Sequence, residues 1–319
     1  MDFWHRTYHL LTEHKKAVLL YVLDSTGSSP GRQGFKMIVG PGGEMAGSIG
    51  GGIMEHKLVE LSRSLLQDDN DPFEPFIKHQ VHRAEARDKS GMICSGEQTI
   101  AFYYLHEGDV GWIEQLLNGF EENEKGVLLL TEQGAEFSSG QMLTGQYDYM
   151  FNSETQWSYK EQIGFKNTVY IIGGGHVGLA LSRLMRNLGF YVIVMDDRED
   201  LNTVEQNEHA HKAAIVDYHQ IENHIPEGED IYVVIASFGY RTDKIVLKRL
   251  IDKKFKYLGM MGSEEKVRTL YQELRKEGVT EKQLANVRSP IGVQIKSKTP
   301  DEIAVSIAAE IIGVKNGAG

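Results

Sequence analysis

The chain of 319 residues has one cysteine, Cys94, so no disulfide can form within it, and a reducing, cytoplasmic setting is expected. Positive charge is also in deficit. Against 45 acidic residues stand 34 lysines and arginines, a formal net charge of -11, which disfavours nucleic acid or an anionic membrane as the principal partner. Any phosphate group has to be held by local backbone geometry. No uninterrupted apolar run reaches bilayer-spanning length, and Met1-Asp2-Phe3-Trp4-His5-Arg6 lacks the basic stretch before an apolar segment that marks a secretory signal. Glu55-His56 lacks the second histidine of a zinc-protease helix, and there is no Walker-type lysine loop. His79, His82 and Cys94 bring no obvious fourth ligand and fit no usual zinc spacing, which argues against a structural metal. There is no repeat and no low-complexity tract.

What is present is patterning for two domains of ordinary size. In the first half a helix precedes a strand over Ala17 to Leu23, and the polar run Asp24 to Arg32 reads as a loop. Phe35 to Val39 is a short strand, Pro41 to Glu44 a hairpin turn, and Ile53 to Leu66 a helix. Gln98 to Leu105, Gly111 to Phe120 and Gly126 to Thr131 follow as strand, helix and strand, and the turn-rich Glu132 to Tyr159 reads as hairpins ending in a linker. From Lys166 onward strands and helices alternate, which implies a mainly parallel sheet with right-handed crossovers. The fold class is therefore α/β, a C-terminal Rossmann-like domain over 161–319 joined to an N-terminal α+β domain over 1–160 that includes the linker.

The strongest local signal is Val169 to Leu181. An apolar strand enters a turn where Gly173, Gly175 and Gly178 have G-x-G-x-x-G spacing, and helical periodicity then runs to Leu188, with Gly189 as its stop. A second strand, Tyr191 to Met195, ends on Asp196, 23 residues after Gly173, where such folds place the acid that accepts a ribose 2'-hydroxyl. Strand, turn, helix, strand and acid in this order point to a phosphate-bearing ligand held by free N–H groups and the positive helix end. The ligand is left open between a dinucleotide such as NAD and another phosphorylated molecule, and the glycines could instead serve only helix–sheet packing. His176, in the first helical turn, could donate to an oxyanion or stand as a surface histidine. Arg198 weakens the case against a 2'-phosphate. Because loops after parallel strands converge on one edge, Gly173 to Gly178, Asp196-Asp197, Ser237 to Tyr240 and Gly262-Ser263 are expected to share one pocket, with Ser263 as helix cap or second anion site.

A second glycine-rich, helix-opening loop lies in the first half, Ser48-Ile49-Gly50-Gly51-Gly52. Consecutive glycines cost conformational entropy and make sense where a backbone comes very close to a ligand or to another segment. Nearby Ser28-Ser29-Pro30-Gly31-Arg32 offers hydroxyls and a guanidinium suited to an anion, or is a solvated turn. Cys94, in a small-residue loop before a strand, is either an inert core thiol or a functional one.

Taken together, Gly27 to Arg32, Gly47 to His56, Cys94-Ser95-Gly96, Gly175-His176-Val177-Gly178, Met195 to Arg198, Gly259 to Ser263, Pro290-Ile291-Gly292 and Thr299 to Ile311 resemble the XdhC/CoxI family in order and over nearly the whole chain. These are accessory factors for xanthine dehydrogenase and related molybdenum hydroxylases. The resemblance implies a non-catalytic chaperone that binds the molybdenum-pterin cofactor at Ser48, Gly50, Gly51, Gly52 and Cys94, with Cys94 as a soft thiolate ligand to the metal. It further implies a cysteine desulfurase that supplies sulfur, a hydroxylase client that receives the cofactor, and a homodimer. Gly173, Gly175, His176, Gly178 and Asp196 would hold a nucleotide. Two positions depart from the family pattern: Cys94-Ser95-Gly96 replaces Cys-Gly-Gly, and Ser237-Phe238-Gly239-Tyr240 replaces Thr-His-x-His. The competing readings are an NAD-dependent oxidoreductase and a nucleotide-sensing interaction module.

Overall fold

The computed structural model describes residues 2–67, 72–82 and 96–317, which divide into two compact units, Met1–Gly164 and Phe165–Gly319. The expected linker near 160 is instead strand, because the alternating sequence of Gln156–Ile163 buries every second side chain.

In the first unit, α1 (Asp2–His14) leads to β1 (Lys16–Gly27), β2 (Lys36–Val39), β3 (Met45–Ser48) and α2 (Gly52–Gln67). Then come β4 (Phe76–His82), β5 (Gly96–His106), a 3-10 turn, α3 (Val110–Glu122), and β6 (Gly126–Thr131), β7 (Gly134–Ser139), β8 (Tyr147–Ser153) and β9 (Gln156–Ile163). An antiparallel sheet of order β3-β2-β1-β5-β4 forms one layer, and β7-β6-β9-β8 form a second sheet. From Ala17 to Leu23 β1 is apolar at every position because that stretch is covered on both faces. Leu19, Tyr21 and Leu23 pack with α1, α3 and the second sheet, while Val18, Leu20 and Val22 lie under Leu58, Val59 and Leu66 of α2. The strand also runs further than expected. Asp24 to Gly27, read as loop, stay paired with β5 through Gly27↔Gly96 beyond an irregularity at Val22/Asp24.

The second unit runs β10 (Asn167–Ile172), α4 (His176–Asn187), β11 (Phe190–Asp196), α5 (Asn202–Glu205), β12 (Lys212–Ile215), a 3-10 turn, β13 (Gly228–Ile235), α6 (Tyr240–Leu250) and β14 (Phe255–Met260). The helices α7 (Glu264–Lys276), α8 (Glu281–Ala285) and α9 (Pro300–Lys315) complete it. All five strands are parallel in the order β12-β11-β10-β13-β14, the Rossmann arrangement expected. Val169 and Ile171 face α4 and α9, whereas Tyr170 and Ile172 face α6 and α7, giving three layers. α9 is launched by a capping box: Thr299 accepts from the Glu302 N–H, Glu302 accepts from the Thr299 N–H, and Pro300 takes the first helical position. Its Ile307 and Ile311 are fully buried.

Candidate functional site

In the second unit the chain leaves the central strand β10 between two oppositely directed connections. This is the switch point at which parallel sheets form a crevice beyond their carboxyl ends. Each glycine of the turn has a different reason to be there. Gly173 has φ +114, and a Cβ on it would stand 2.2 Å from the Ala236 carbonyl oxygen. Gly178 is required by packing, since its Cβ would stand 2.2 Å from Gly173 O. Gly175 has an ordinary φ of -67 and nothing within 4 Å of where a Cβ would lie. Neither backbone strain nor packing calls for glycine there. The open position leaves the N–H groups at the start of α4 free of any side chain that would keep a phosphate away.

Asp196 is 1% exposed and braces this turn from below. Its Oδ2 accepts from the Gly174 N–H at 2.7 Å and from Arg198 Nη2 at 2.8 Å, and its Oδ1 accepts from the Arg198 N–H and Nε at 3.1 and 2.8 Å. Burial pushes its carboxyl upward, but the bonds from Arg198 and Gly174 outweigh that and hold it below the usual value. Both oxygens are thus committed to the chain's own donors, and a ribose hydroxyl reaches them only if Arg198 swings away. His176 is exposed and lines a cavity with Arg183, His209 and Asp301.

Of the four loops expected to meet, three touch directly, Gly173 packing on Ala236 and Ser237 and Gly174 on Asp196, and the fourth follows Met261, whose N–H donates to Ile235 O at 2.8 Å. The fourth, Gly262-Ser263, opens on a cleft of about 430 Å3 lined by Pro290, Ile291, Val293, Ile295 and Lys296. Ser263 is a helix cap there, accepting from the Lys266 N–H at 3.2 Å.

In the first unit the structure brings the two predicted loops together. A Cβ at Gly50 would stand 2.5 Å from Gly31 N, and one at Gly31 would stand 2.3 Å from Ile49 O. Gly50, Gly51 and Gly52 have φ of +129, +76 and +74, a run only glycine adopts easily. At Gly51 there is nothing within 4 Å of a Cβ position. The N–H groups this loop displays converge on a carboxylate from its own helix. Glu55 Oε2 accepts from the Ser48 hydroxyl at 2.7 Å and from the Ile49 and Gly51 N–H groups, both at 2.9 Å. Burial raises the Glu55 carboxyl, and these bonds overcome that and lower it. The carboxylate fills a backbone nest of N–H groups.

Sequence reasoning passed over this role of Glu55. The available signal was an acid in the first helical turn directly after three glycines. Gly27-Ser28-Ser29-Pro30-Gly31 has the spacing of a nucleophile elbow, yet no helix follows, and Ser29 is buried with its hydroxyl donated to Gln98 Oε1 at 2.8 Å. His79 Nδ1 lies 3.0 Å from Thr99 Oγ1. Among the described residues no group of three His, Cys, Asp or Glu could hold a metal ion, and no helix is long and apolar enough to cross a membrane. Cys94 lies outside the described residues.

Two family profiles match the chain: one described as the XdhC Rossmann domain over residues 169–311, the other as the XdhC and CoxI family over residues 10–74. An uncharacterized Escherichia coli protein, YqeB, is 27% identical over 93% of this chain, which spans 43% of that protein's length. A Bacillus subtilis protein described as a probable subunit of xanthine dehydrogenase is 22% identical, with 95% of this chain and 94% of that one covered. A crystal structure from Bacillus halodurans, described as a xanthine dehydrogenase, superposes with a TM-score of 0.74 at 20% identity, covering 100% of this chain and 97% of that one. At that identity the likeness concerns the fold.

Proposed function

The chain belongs to the XdhC and CoxI family, and from that membership and the two glycine-built cradles we propose that it is an accessory factor of a molybdenum hydroxylase of the xanthine dehydrogenase type. Its cargo is the phosphorylated molybdenum-pterin cofactor, which it holds and delivers to the client after a cysteine desulfurase has supplied sulfur. The observation that carries the reading is the pair of open glycines. Gly51 and Gly175 each stand at the mouth of a helix-opening loop with free space where a side chain would be, which suits backbone N–H groups offered to phosphate.

The donor set of the first unit fits such a cargo. The Ile49 and Gly51 N–H groups and the Ser48 hydroxyl already hold one anionic group, the Glu55 carboxylate. A phosphate entering the nest replaces that carboxylate with one carrying more charge and more acceptor oxygens. Cys94 supplies a thiolate of the softness that a metal–sulfur centre requires. Gly173, Gly175 and Gly178 hold a nucleotide in the second unit, and the assembly acts as a homodimer in the cytoplasm.

The protein, purified from cells that make the cofactor, is expected to release pterin measurable by the fluorescence of its oxidised form. Cys94→Ala and Gly51→Asp chains are expected to release little. Release from the parent chain no higher than from those variants overturns the reading. An NAD-dependent oxidoreductase is the competing reading, favoured by the Rossmann turn, and hydride transfer from bound NADH to a substrate would mark it.

A further inference from the structure

Phe238 is 84% exposed, more than any other large hydrophobic among the described residues. It stands on the loop leaving β13, directly after the Ala236-Ser237 segment against which Gly173 packs. An exposed aromatic ring is informative where its backbone is anchored, and the chain on both sides of this one is tied down from beneath. The buried Ser237 hydroxyl donates to Asp243, itself 1% exposed, and Lys266 Nζ donates to the same carboxylate. The Gly239 N–H bonds back to Ser237 O at 3.0 Å, and Thr242 Oγ1 donates to Gly239 O at 3.0 Å. A second planar group faces the ring. The Arg198 guanidinium lies 5.7 Å from the Phe238 centroid, and its own plane is locked by two side-chain bonds to Asp196.

We propose that Phe238, backed by Arg198, is the stacking platform for a planar nitrogen heterocycle joined to the phosphate that binds at Gly175. The inference rests on the reading of that turn as a phosphate cradle and adds the class of ligand. The two halves of such a molecule are matched by neighbouring surfaces. The phosphate meets the N–H groups at the start of α4. From there the switch-point crevice leads to loops after β11 and β13, where Arg198 and Phe238 stand. The ring of the ligand stacks on the open face of Phe238 while the guanidinium keeps the other. Stacking is tolerant of ring identity because every nucleobase or pterin presents a π-face. Two sources share this chemistry, an adenine nucleotide and a phosphorylated pterin.

Calorimetric titration of the full chain with ADP, neopterin monophosphate and the ringless ribose 5-phosphate separates them. In Phe238→Ala the dissociation constant of the bound ring compound is expected to rise roughly ten-fold, within the range found when a stacking aromatic is removed. Phe238→Trp is expected to restore it, and ribose 5-phosphate to change less than about two-fold. Tighter binding of ADP or of neopterin monophosphate to the parent chain identifies the source. Because Phe238 is exposed, the alanine chain is expected to melt at the parent temperature. A change of less than about two-fold for both ring compounds, an equal loss for ribose 5-phosphate, or no binding of either ring compound to the parent overturns the proposal. If pterin still co-purifies with the Phe238→Ala chain and depends on Gly51, the accessory function stands and only the stacking site falls.

Discussion

Asp196→Asn probes how the glycine turn is held, and its cost can be worked from the four bonds the carboxylate accepts. One oxygen takes the Gly174 N–H and Arg198 Nη2, and the other takes the Arg198 N–H and Nε. In asparagine one oxygen becomes an NH2 group, and in either orientation it confronts two donors. Two bonds are lost, each worth about 1.5–3 kcal/mol when one partner is charged. Some of this returns because the Arg198 side chain is 39% exposed and rehydrates. The net loss is expected near 3 kcal/mol, at the lower end for breaking a buried pair. For a unit of this size that corresponds to roughly 10 °C in Tm.

Urea unfolding followed by far-ultraviolet circular dichroism gives the magnitude, and amide exchange at Gly174 to Val177 gives the location. The pH dependence follows from the lowered carboxyl. An acid depressed in the folded state stabilises fully above its unfolded pKa, near 3.8, and loses that contribution as pH falls through the lower folded value. The gap between parent and variant should therefore be full at pH 7 and close below about pH 4. A variant within about 1 kcal/mol of the parent at pH 7, or a gap that persists unchanged in acid, would refute the reasoning.

Three further outcomes are expected. Gly50→Ala should destabilise the first unit by about 3 kcal/mol or more, since its Cβ meets backbone at 2.5 and 2.7 Å. Gly51→Ala, strained in φ but facing open space, should cost about 1 kcal/mol while still weakening phosphate binding, and denaturation curves compared with phosphate titrations check both. His211 accepts from the Val192 N–H at 2.9 Å and stacks on Tyr191, and burial, aided by Arg186, lowers its pKa to about 4 from 6.5. A base depressed in the folded state stabilises fully above 6.5 and loses that contribution as pH falls toward 4, so the parent should weaken across that window by a few kcal/mol. His211→Gln should flatten this limb in urea titrations at pH 7, 5.5 and 4.

Much of the architecture was written in local patterning. The alternation from β10 to β14, the capping box at Thr299 and the doubly apolar β1 need only short-range rules, because strand and helix periods and cap chemistry act over a few residues. The glycine spacing at Gly173, Gly175 and Gly178 was legible for the same reason. Tertiary structure decided which glycine serves what. Packing claims Gly173, against the sequence-distant Ala236, and Gly178, against Gly173 O, and leaves Gly175 free. It also decided that Asp196 pins the turn through Arg198, that Glu55 fills the nest beside Gly51, and that the loops at Pro30 and Gly50 meet. These outcomes depend on which lone pairs remain unclaimed once segments far apart in the chain have packed, and no periodicity in the sequence records that.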